Sequence, residues 1–178
     1  MKKILTILSI FVFMKDANTI IYDFNSKSKI SDWRVVDDVV MGGLSDGNFS
    51  INENGNGEYS GKVSTENNGG FSSLRYLFSK INIENYTKVK IRLKGDGKKY
   101  QFRIKRSRND YHSYIFSFIT SKKWQTIEIN LSDMYPAFRG RNLDMPNLSS
   151  KNIEEIAFLI GNKKEESFLL ELDKIYLE

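Results

Sequence analysis

The sequence predicts a single all-β domain, an antiparallel β-sandwich of the jelly-roll type. Three observations favour this fold. Apolar and polar residues alternate with a period of two in most segments, turn residues separate these segments at regular intervals, and helical periodicity is almost absent. About ten short strands of this kind fit one sandwich, and the chain of 178 residues shows neither an internal repeat nor a linker. We therefore assign residues 18–178 to one domain.

The alternating segments can be followed in order along the chain. In residues 71–78 the odd-numbered positions share one face of a strand and the even-numbered positions share the other. Residues 88–94 alternate as strictly, and their apolar positions are expected to face the core. The remaining strands are expected in residues 20–24, 49–51, 58–64, 100–104, 114–118, 124–131, 153–160 and 168–177. One helical turn is expected within residues 149–155.

Composition excludes several classes of site. The chain has no cysteine, which excludes disulfides, thiolate metal sites and cysteine nucleophiles. Its one histidine, His112, argues against most zinc sites and most histidine-dependent acid–base catalysis. The formal charge is +5, to which three lysines and one aspartate in residues 1–17 contribute +2, leaving +3 elsewhere. This excess is weak evidence for nucleic acid binding, so we expect no nucleic acid partner. We also expect no cofactor.

Residues 1–17 form a hydrophobic leader. Two lysines precede eleven mostly apolar residues, a length that suits a signal peptide and is too short to span a bilayer as a helix. We therefore expect export to the periplasm or cell envelope, with membrane association only through the leader or a partner. Two alternatives remain open. Translation could begin at Met14 and give a cytoplasmic protein, or the leader could stay uncleaved as an anchor.

Two glycine-rich loops lie close together in residues 33–75. The first, residues 37–47, belongs to the stretch W-R-V-V-D-D-V-V-M-G-G-L-S-D-G, and the second, residues 67–71, belongs to N-N-G-G-F-S-S-L-R. Gly43 to Gly47 match the G-x-S-x-G pattern of a hydrolase nucleophile elbow. That elbow requires a helix after the serine, and no helical pattern follows here. We therefore predict no catalytic residues.

Adjacent carboxylates occupy the first glycine-rich loop. Asp37 and Asp38 could coordinate calcium, which takes oxygen ligands from loops. They could equally accept hydrogen bonds from backbone amides of their own turn, which is the favoured interpretation. Because neighbours on an extended chain point in opposite directions, one carboxylate is expected to face inward and the other outward.

The second glycine-rich loop predicts a sharp reversal of the chain. Asn67, Asn68, Gly69 and Gly70 all tolerate positive φ, so the turn would direct Phe71 inward and gather backbone N–H groups. Arg75 lies on the same strand face as Phe71 and is expected to pair with Asp37 or Asp38. This arginine would then either pin the two loops through a buried ion pair or contact a ligand.

A third cluster, Y-P-A-F-R-G-R, occupies residues 135–141 and contains no acidic residue. Arg139 and Arg141 offer planar donor forks suited to carboxylate, phosphate or sugar hydroxyls, and Tyr135 and Phe138 could form an apolar platform beside them. In the alternative interpretation Phe138 only anchors a loop. The outward bases of a hairpin expected in residues 88–108 suggest either a weak polyanion surface or an ordinary solvated strand face.

These three clusters resemble the complex I intermediate-associated protein family of the thirty-kilodalton type. The resemblance also includes the closing I-A-F-L-I and F-L-L-E-L strands and extends over roughly residues 20–178. It implies a galactose-binding-like β-sandwich. It also implies a role like that of the eukaryotic members, which are chaperones for the membrane arm of NADH:ubiquinone oxidoreductase and catalyse no reaction themselves.

The sequence and the resemblance together predict a non-enzymatic binding domain that acts as an assembly or scaffolding factor for a protein partner. A carbohydrate or small-ligand binding module is the first alternative, and an enzyme is the second. No metal site is assigned. The candidate binding surface comprises Trp33, Asp37, Asp38, Met41, Gly42, Gly43, Ser45, Asn67, Asn68, Gly69, Gly70, Phe71, Arg75, Tyr135, Pro136, Phe138, Arg139 and Arg141.

Overall fold

The computed structural model describes residues 18–178 as two antiparallel β-sheets that enclose one hydrophobic core. The predicted leader, residues 1–17, lies outside the described residues. Thirteen strands and three short 3₁₀ helices account for the regular structure of the described part. The prediction of an all-β antiparallel sandwich is therefore confirmed. No helix within residues 18–178 is long and apolar enough to cross a membrane.

The first sheet has six strands. Five of them lie side by side in the order β3, β4, β13, β6 and β9, and β1 pairs with β13 outside this path. Their bounds are β1 (Thr19–Asp23), β3 (Asp46–Ile51), β4 (Gly57–Val63), β6 (Lys88–Lys94), β9 (Gln125–Asn130) and β13 (Glu166–Leu177).

The second sheet has seven strands in the order β11, β10, β8, β7, β12, β5 and β2. Their bounds are β2 (Trp33–Asp37), β5 (Ser72–Asn82), β7 (Lys99–Lys105), β8 (Ser113–Ile119), β10 (Tyr135–Phe138), β11 (Arg141–Asn142) and β12 (Asn152–Ile160). The 3₁₀ helices are Asp38–Met41, Glu66–Asn68 and Leu131–Asp133.

The core forms where the inner faces of the two sheets meet. The period-two alternation places one apolar set from each strand between the sheets, as the sequence predicted. On β7 these residues are Tyr100, Phe102 and Ile104, and all three are fully buried. Burial of this apolar area is the main term that stabilises the sandwich.

Two segments differ from their predicted structure. The helical turn predicted in residues 149–155 is wrong, because β12 begins at Asn152, where Asn152 and Ile153 pair with β5. Residues 135–141, expected to be a loop, belong to the β10–β11 hairpin instead. Its two-residue turn places both Arg139 and Gly140 at positive φ, as a type I′ turn requires.

The expected hairpin in residues 88–108 is also wrong. Strand β6 pairs with β13 and β9, whereas β7 pairs with β12 and β8, so the chain crosses from one sheet to the other between them. Both strands have an apolar inward face, and each covers the core from its own side. Although β6 and β7 follow one another in the sequence, they therefore lie in different sheets.

Candidate functional site

Asp38 joins the two glycine-rich loops. Its fully buried carboxylate accepts hydrogen bonds from the Ser45 amide at 2.9 Å, the Ser45 hydroxyl at 2.5 Å, the Gly70 amide at 2.6 Å and the Phe71 amide at 3.1 Å. Burial by itself raises the pKa of Asp38, but the donors from Ser45, Gly70 and Phe71 outweigh it and hold the pKa below its usual value. The charged form is therefore the one that the fold stabilises.

Asp37 has a similar structural role at the end of β2. Its carboxylate accepts hydrogen bonds from the Gly47 amide at 3.0 Å and from the Ser72 hydroxyl. The Ser72 hydroxyl in turn accepts one from Tyr59 at 2.7 Å. The interpretation that both aspartates order their own loops is thus confirmed. Within residues 18–178 no group of three or more His, Cys, Asp or Glu side chains is placed to hold a metal ion.

The glycines of both loops are required by the approach of Asp38. A Cβ atom at Gly43 would lie 2.3 Å from Asp38 Oδ1, and one at Gly69 would lie 2.6 Å from Asp38 Oδ2. Neither distance is sterically possible. Ser45, the serine of the G-x-S-x-G pattern, is buried, hydrogen-bonded to Asp38 and followed by β3. The pattern therefore marks a tightly packed loop, and Ser45 does not occupy a nucleophile elbow.

Trp33 belongs to the core. Its ring stacks on Tyr76 with a centroid distance of 4.7 Å and also packs against Tyr22, Phe24 and Phe49. Trp33 is buried at the start of β2, so it packs in the core and cannot itself contact a ligand. Its place in the predicted surface is corrected accordingly.

Arg75 does not pair with Asp37 or Asp38, so that prediction is wrong. Its guanidinium lies 4.0 Å from Glu155 on β12. The reason is the alternation of β5, which turns Ser72 toward the core and toward Asp37, and turns Arg75 to the opposite face. Among the residues of the predicted binding surface, only Asp38 has a side chain that is hydrogen-bonded to both glycine-rich loops.

The 135–141 cluster lies far from the glycine-rich loops. Five strand spacings separate β10 from β2, which is about 24 Å across the sheet. The cluster also extends toward the opposite end of the strands, because Ala137 pairs with Ser113 at the start of β8. The prediction that three loops form one continuous surface is therefore wrong.

Two smaller surfaces replace it. The first consists of the exposed apolar side chains Val39, Met41 and Leu44, which are 61%, 56% and 55% exposed, and Gly42 lies exposed among them. The second surrounds Phe138, whose ring contacts Tyr111 edge-on at 5.3 Å and lies beneath the Arg139 guanidinium at 5.3 Å. Arg139 and Arg141 form no ion pair with any residue in the described part of the chain, and Pro136 is buried.

A third surface was not predicted from the sequence. It is the outer face of the seven-stranded sheet, the face that points away from the core. The strand register places six outward side chains in one row across the sheet. Two of them, Arg75 and Tyr135, belong to the candidate binding surface predicted from the sequence. The row reads Arg34, Arg75, Ala157, Arg103, Ile115 and Tyr135.

The side chains at the centre of this face lie below those of their neighbours. Ala157, Ile115 and Leu159 point away from the core, yet they are only 3%, 4% and 9% exposed because longer neighbours rise around them. The margins of the face remain open, as Leu77 and Ile119 are exposed. We call this feature the outer-face depression and define it by floor residues Ile115, Ala157 and Leu159 and surrounding residues Arg75, Gln101, Arg103, Tyr135 and Glu155.

Hydrogen-bonding groups in the outer-face depression are fixed in place. The Arg103 guanidinium donates from Nε and Nη2 to the Gln101 side-chain oxygen at 3.1 and 2.6 Å. Burial and the neighbouring Arg75 lower the pKa of Arg103 to about 10. The Arg75 Nε atom is buried and finds no hydrogen-bond partner in residues 18–178. A cavity of about 290 Å³ adjoins one end, lined by Lys99, Gln101, Leu159, Gly161, Asn162 and Lys163.

The bases of strand β6 in the six-stranded sheet are neutralised, in contrast. Lys90 lies 2.6 Å from Glu178, Arg92 lies 2.7 Å from Asp173, and Lys94 and Lys88 pair with Glu171 and Glu128. These residues therefore form a solvated strand face, as the favoured interpretation held. Arg103 and Lys105, which the sequence grouped with them, lie on the opposite side of the sandwich.

Part of the missed surface was detectable from the sequence. The alternation of residues 100–104 and 71–78 already turned Gln101, Arg103 and Arg75 outward. Nothing in the sequence indicated that β5 and β7 flank the same strand. The partners across a sheet come from distant segments, so the row forms only in the folded domain.

Solved structures share this architecture. A family 11 carbohydrate-binding module from Clostridium thermocellum, solved in complex with a beta-1,3-1,4-mixed-linked tetrasaccharide, has a TM-score of 0.67 at 22% identity over 90% of this chain and 94% of that chain. The family 11 module of the cellulosomal cellulase Lic26A-Cel5E of the same organism has a TM-score of 0.68 at 21% identity, with the same coverage. These similarities show the fold.

The family comparison concerns the sequence itself. The family described as Complex I intermediate-associated protein 30 (CIA30) matches residues 22–172. The match includes both glycine-rich loops, the 135–141 cluster and the strands of both sheets, except for the first residues of β1 and the last residues of β13, which lie outside it. It covers most of the chain, and the chain therefore belongs to the complex I intermediate-associated protein 30 family.

Proposed function

We propose that this chain is a non-catalytic binding domain that holds an extended carbohydrate in the outer-face depression. The observation that supports this most directly is the row across the sheet, in which the small floor residue Ala157 lies between Arg75 and Arg103. The floor residues are covered by their neighbours, so a ligand would meet the guanidinium, amide and carboxylate groups that surround them. Sugars offer a rim of hydroxyls that such groups can hydrogen-bond, so this arrangement suits them.

The shape of the site favours a chain over a small molecule. The depression is open at both margins, so a ligand longer than the depression could continue past Leu77 or Ile119. The similar family 11 module was solved with a tetrasaccharide, which supports a sugar ligand on this fold. Export through the predicted leader would bring the domain to the polysaccharides outside the cytoplasm.

Filling the depression tests the proposal. The change Ala157→Leu places a larger side chain between Arg75 and Arg103, so an oligosaccharide that binds the wild type should bind at least about tenfold more weakly. Binding would be found on an oligosaccharide array and measured by calorimetry. Thr126→Leu, on the exposed face of the six-stranded sheet, is the matched control. Equal affinity of the wild type and Ala157→Leu for the same sugar would contradict this location.

Assembly of a protein partner is a second candidate function. The observation that favours it is the exposed trio Val39, Met41 and Leu44, which Asp38 holds in a fixed loop. Large apolar side chains that cluster at a surface commonly mark a protein contact. The family to which the chain belongs is described by its association with complex I intermediates, which supports this candidate.

A pull-down from detergent-solubilised membranes tests this second candidate. The tagged wild type should recover NADH:ubiquinone oxidoreductase subunits, and Met41→Ser/Leu44→Ser should lose them. Arg139→Ala/Arg141→Ala removes the other candidate surface and shows whether the hairpin contributes. Recovery of the same subunits by both double variants would argue against either surface.

A further inference from the structure

We propose that the ligand of the outer-face depression is an acidic carbohydrate, recognised through its carboxylate or sulfate groups by Arg34, Arg75 and Arg103. This inference rests on the proposed carbohydrate-binding function and adds the chemical class of the ligand. It follows from the distribution of charge on the outer face, from the mutual placement of the arginines, and from an unused donor.

The charge on the outer face is strongly unbalanced. The outward ionisable residues at paired positions of the described strands of this sheet are five bases, Arg34, Arg75, Lys99, Arg103 and Lys105, and one acid, Glu155. Lys105 donates to the backbone carbonyl of Asp110, a neutral acceptor, at 2.7 Å. The neighbouring Glu154 lies at the bulge of β12, where it meets Lys80 and Arg108.

The three arginines lie close to one another across the sheet. Arg34 and Arg75 are directly opposite in the β2–β5 register, a position in which like charges destabilise a sheet. Arg103 follows on the far side of Ala157, and its lowered pKa reflects burial and the charge of Arg75. The three residues span about 14 Å along the row, from three strand spacings. An anion bound among them would relieve this repulsion.

A hydrogen-bond donor of Arg75 that has no partner also favours an anionic ligand. The Arg75 Nε atom is buried without a hydrogen-bond partner in the described residues, and the Glu155 contact at 4.0 Å is long for a charge-assisted hydrogen bond. A guanidinium presents a planar fork that matches a carboxylate or sulfate edge. Glu155 therefore orients Arg75 without saturating it.

The rest of the molecule shows that this surplus is local. The formal charge outside residues 1–17 is only +3, and the bases of β6 are each paired with a carboxylate. Positive charge is thus retained on the face with the depression and compensated along β6 on the opposite face. A general cationic character of the protein does not account for it.

Calorimetry with the full chain tests the inference. The probes are an oligogalacturonate, the same oligosaccharide with its carboxylates methyl-esterified, and an oligosaccharide whose only charged groups are sulfates. We expect the acid or the sulfate to bind. The ester should bind at least about tenfold more weakly than the acid, because it cannot form the charge-assisted hydrogen bonds. The two anionic probes distinguish carboxylate from sulfate, and binding of either supports the inference.

Variants locate the anion. Arg75→Gln and Arg34→Gln should each weaken binding of the acidic probe about tenfold, whereas Arg92→Gln, on the opposite sheet, should leave it unchanged. Glu155→Gln should tighten binding, which a merely structural role would not produce. Arg34 is exposed, so its variant remains informative if a change at a more buried arginine perturbs folding.

The outcomes separate the two proposals. Equal binding of the ester and the acid, with loss in Ala157→Leu, would overturn the inference and keep carbohydrate binding. Absence of binding by every acidic and neutral saccharide on the array would overturn both. Binding of the acid that is unchanged by Arg34→Gln and Arg75→Gln would also overturn the inference, because the anion would then lie elsewhere.

Discussion

Replacing Asp38 with alanine will lower the free energy of unfolding by about 4 kcal/mol. The buried carboxylate is the acceptor for the amides of Ser45, Gly70 and Phe71, and its removal leaves these donors without a partner. A buried unsatisfied donor costs about 1–3 kcal/mol, so several together produce a large loss. Urea denaturation followed by circular dichroism measures it.

Two variants serve as controls for this result. Asp38→Asn keeps the size of the side chain but turns an amide N–H₂ toward N–H donors, so an intermediate loss is expected. Asp144→Ala removes an exposed carboxylate and should change stability by less than about 0.5 kcal/mol. An Asp38→Ala variant as stable as Asp144→Ala would show that the carboxylate does not hold the loops.

The contribution of Asp38 will also depend on pH. Its pKa in the folded protein is lower than the ordinary value of 3.8, so the unfolded chain binds the proton more readily. Its contribution to stability is therefore complete well above pH 3.8 and is lost as the pH falls through the folded pKa. Denaturation curves between neutral and acidic pH should show this loss in the wild type and not in Asp38→Asn.

Replacing Trp33 with alanine will cost about 4 kcal/mol of unfolding free energy. Trp33 is buried among Tyr22, Phe24, Phe49 and Tyr76, so truncation removes several ring contacts and leaves a cavity. The same urea denaturation measures the effect. Trp124→Ala is the matched control, because Trp124 is 36% exposed and lies beneath the Arg92 guanidinium. Its expected cost is about 1 kcal/mol.

Trp33→Phe separates packing from hydrogen bonding. The indole Nε1 of Trp33 has no hydrogen-bond partner within residues 18–178, so phenylalanine loses ring volume but no hydrogen bond. We expect less than half of the loss seen with alanine. A phenylalanine variant as unstable as the alanine variant would contradict the expectation that aromatic packing accounts for most of the loss.

The candidate site was only partly predictable. The sequence correctly indicated that Asp37 and Asp38 accept hydrogen bonds from amides of their own loop, those of Gly47 and Ser45. It did not indicate that Asp38 also accepts the amides of the second loop, which lie 32 and 33 residues further along the chain. It could not indicate that Arg75 faces Glu155, since these two residues meet only when β5 and β12 pair. It also grouped Arg103 with residues 88–94, which belong to the other sheet.

The sequence by itself determined the fold class, the inward set of most strands and the structural role of the first glycine-rich loop. Each of these depends on neighbouring residues, whose alternation places side chains on opposite faces of a strand. Only the tertiary structure decided which strands lie side by side. It therefore also decided that Arg34, Arg75, Arg103 and Tyr135 form one row above Ala157, because sheet pairing joins residues that are distant in the chain.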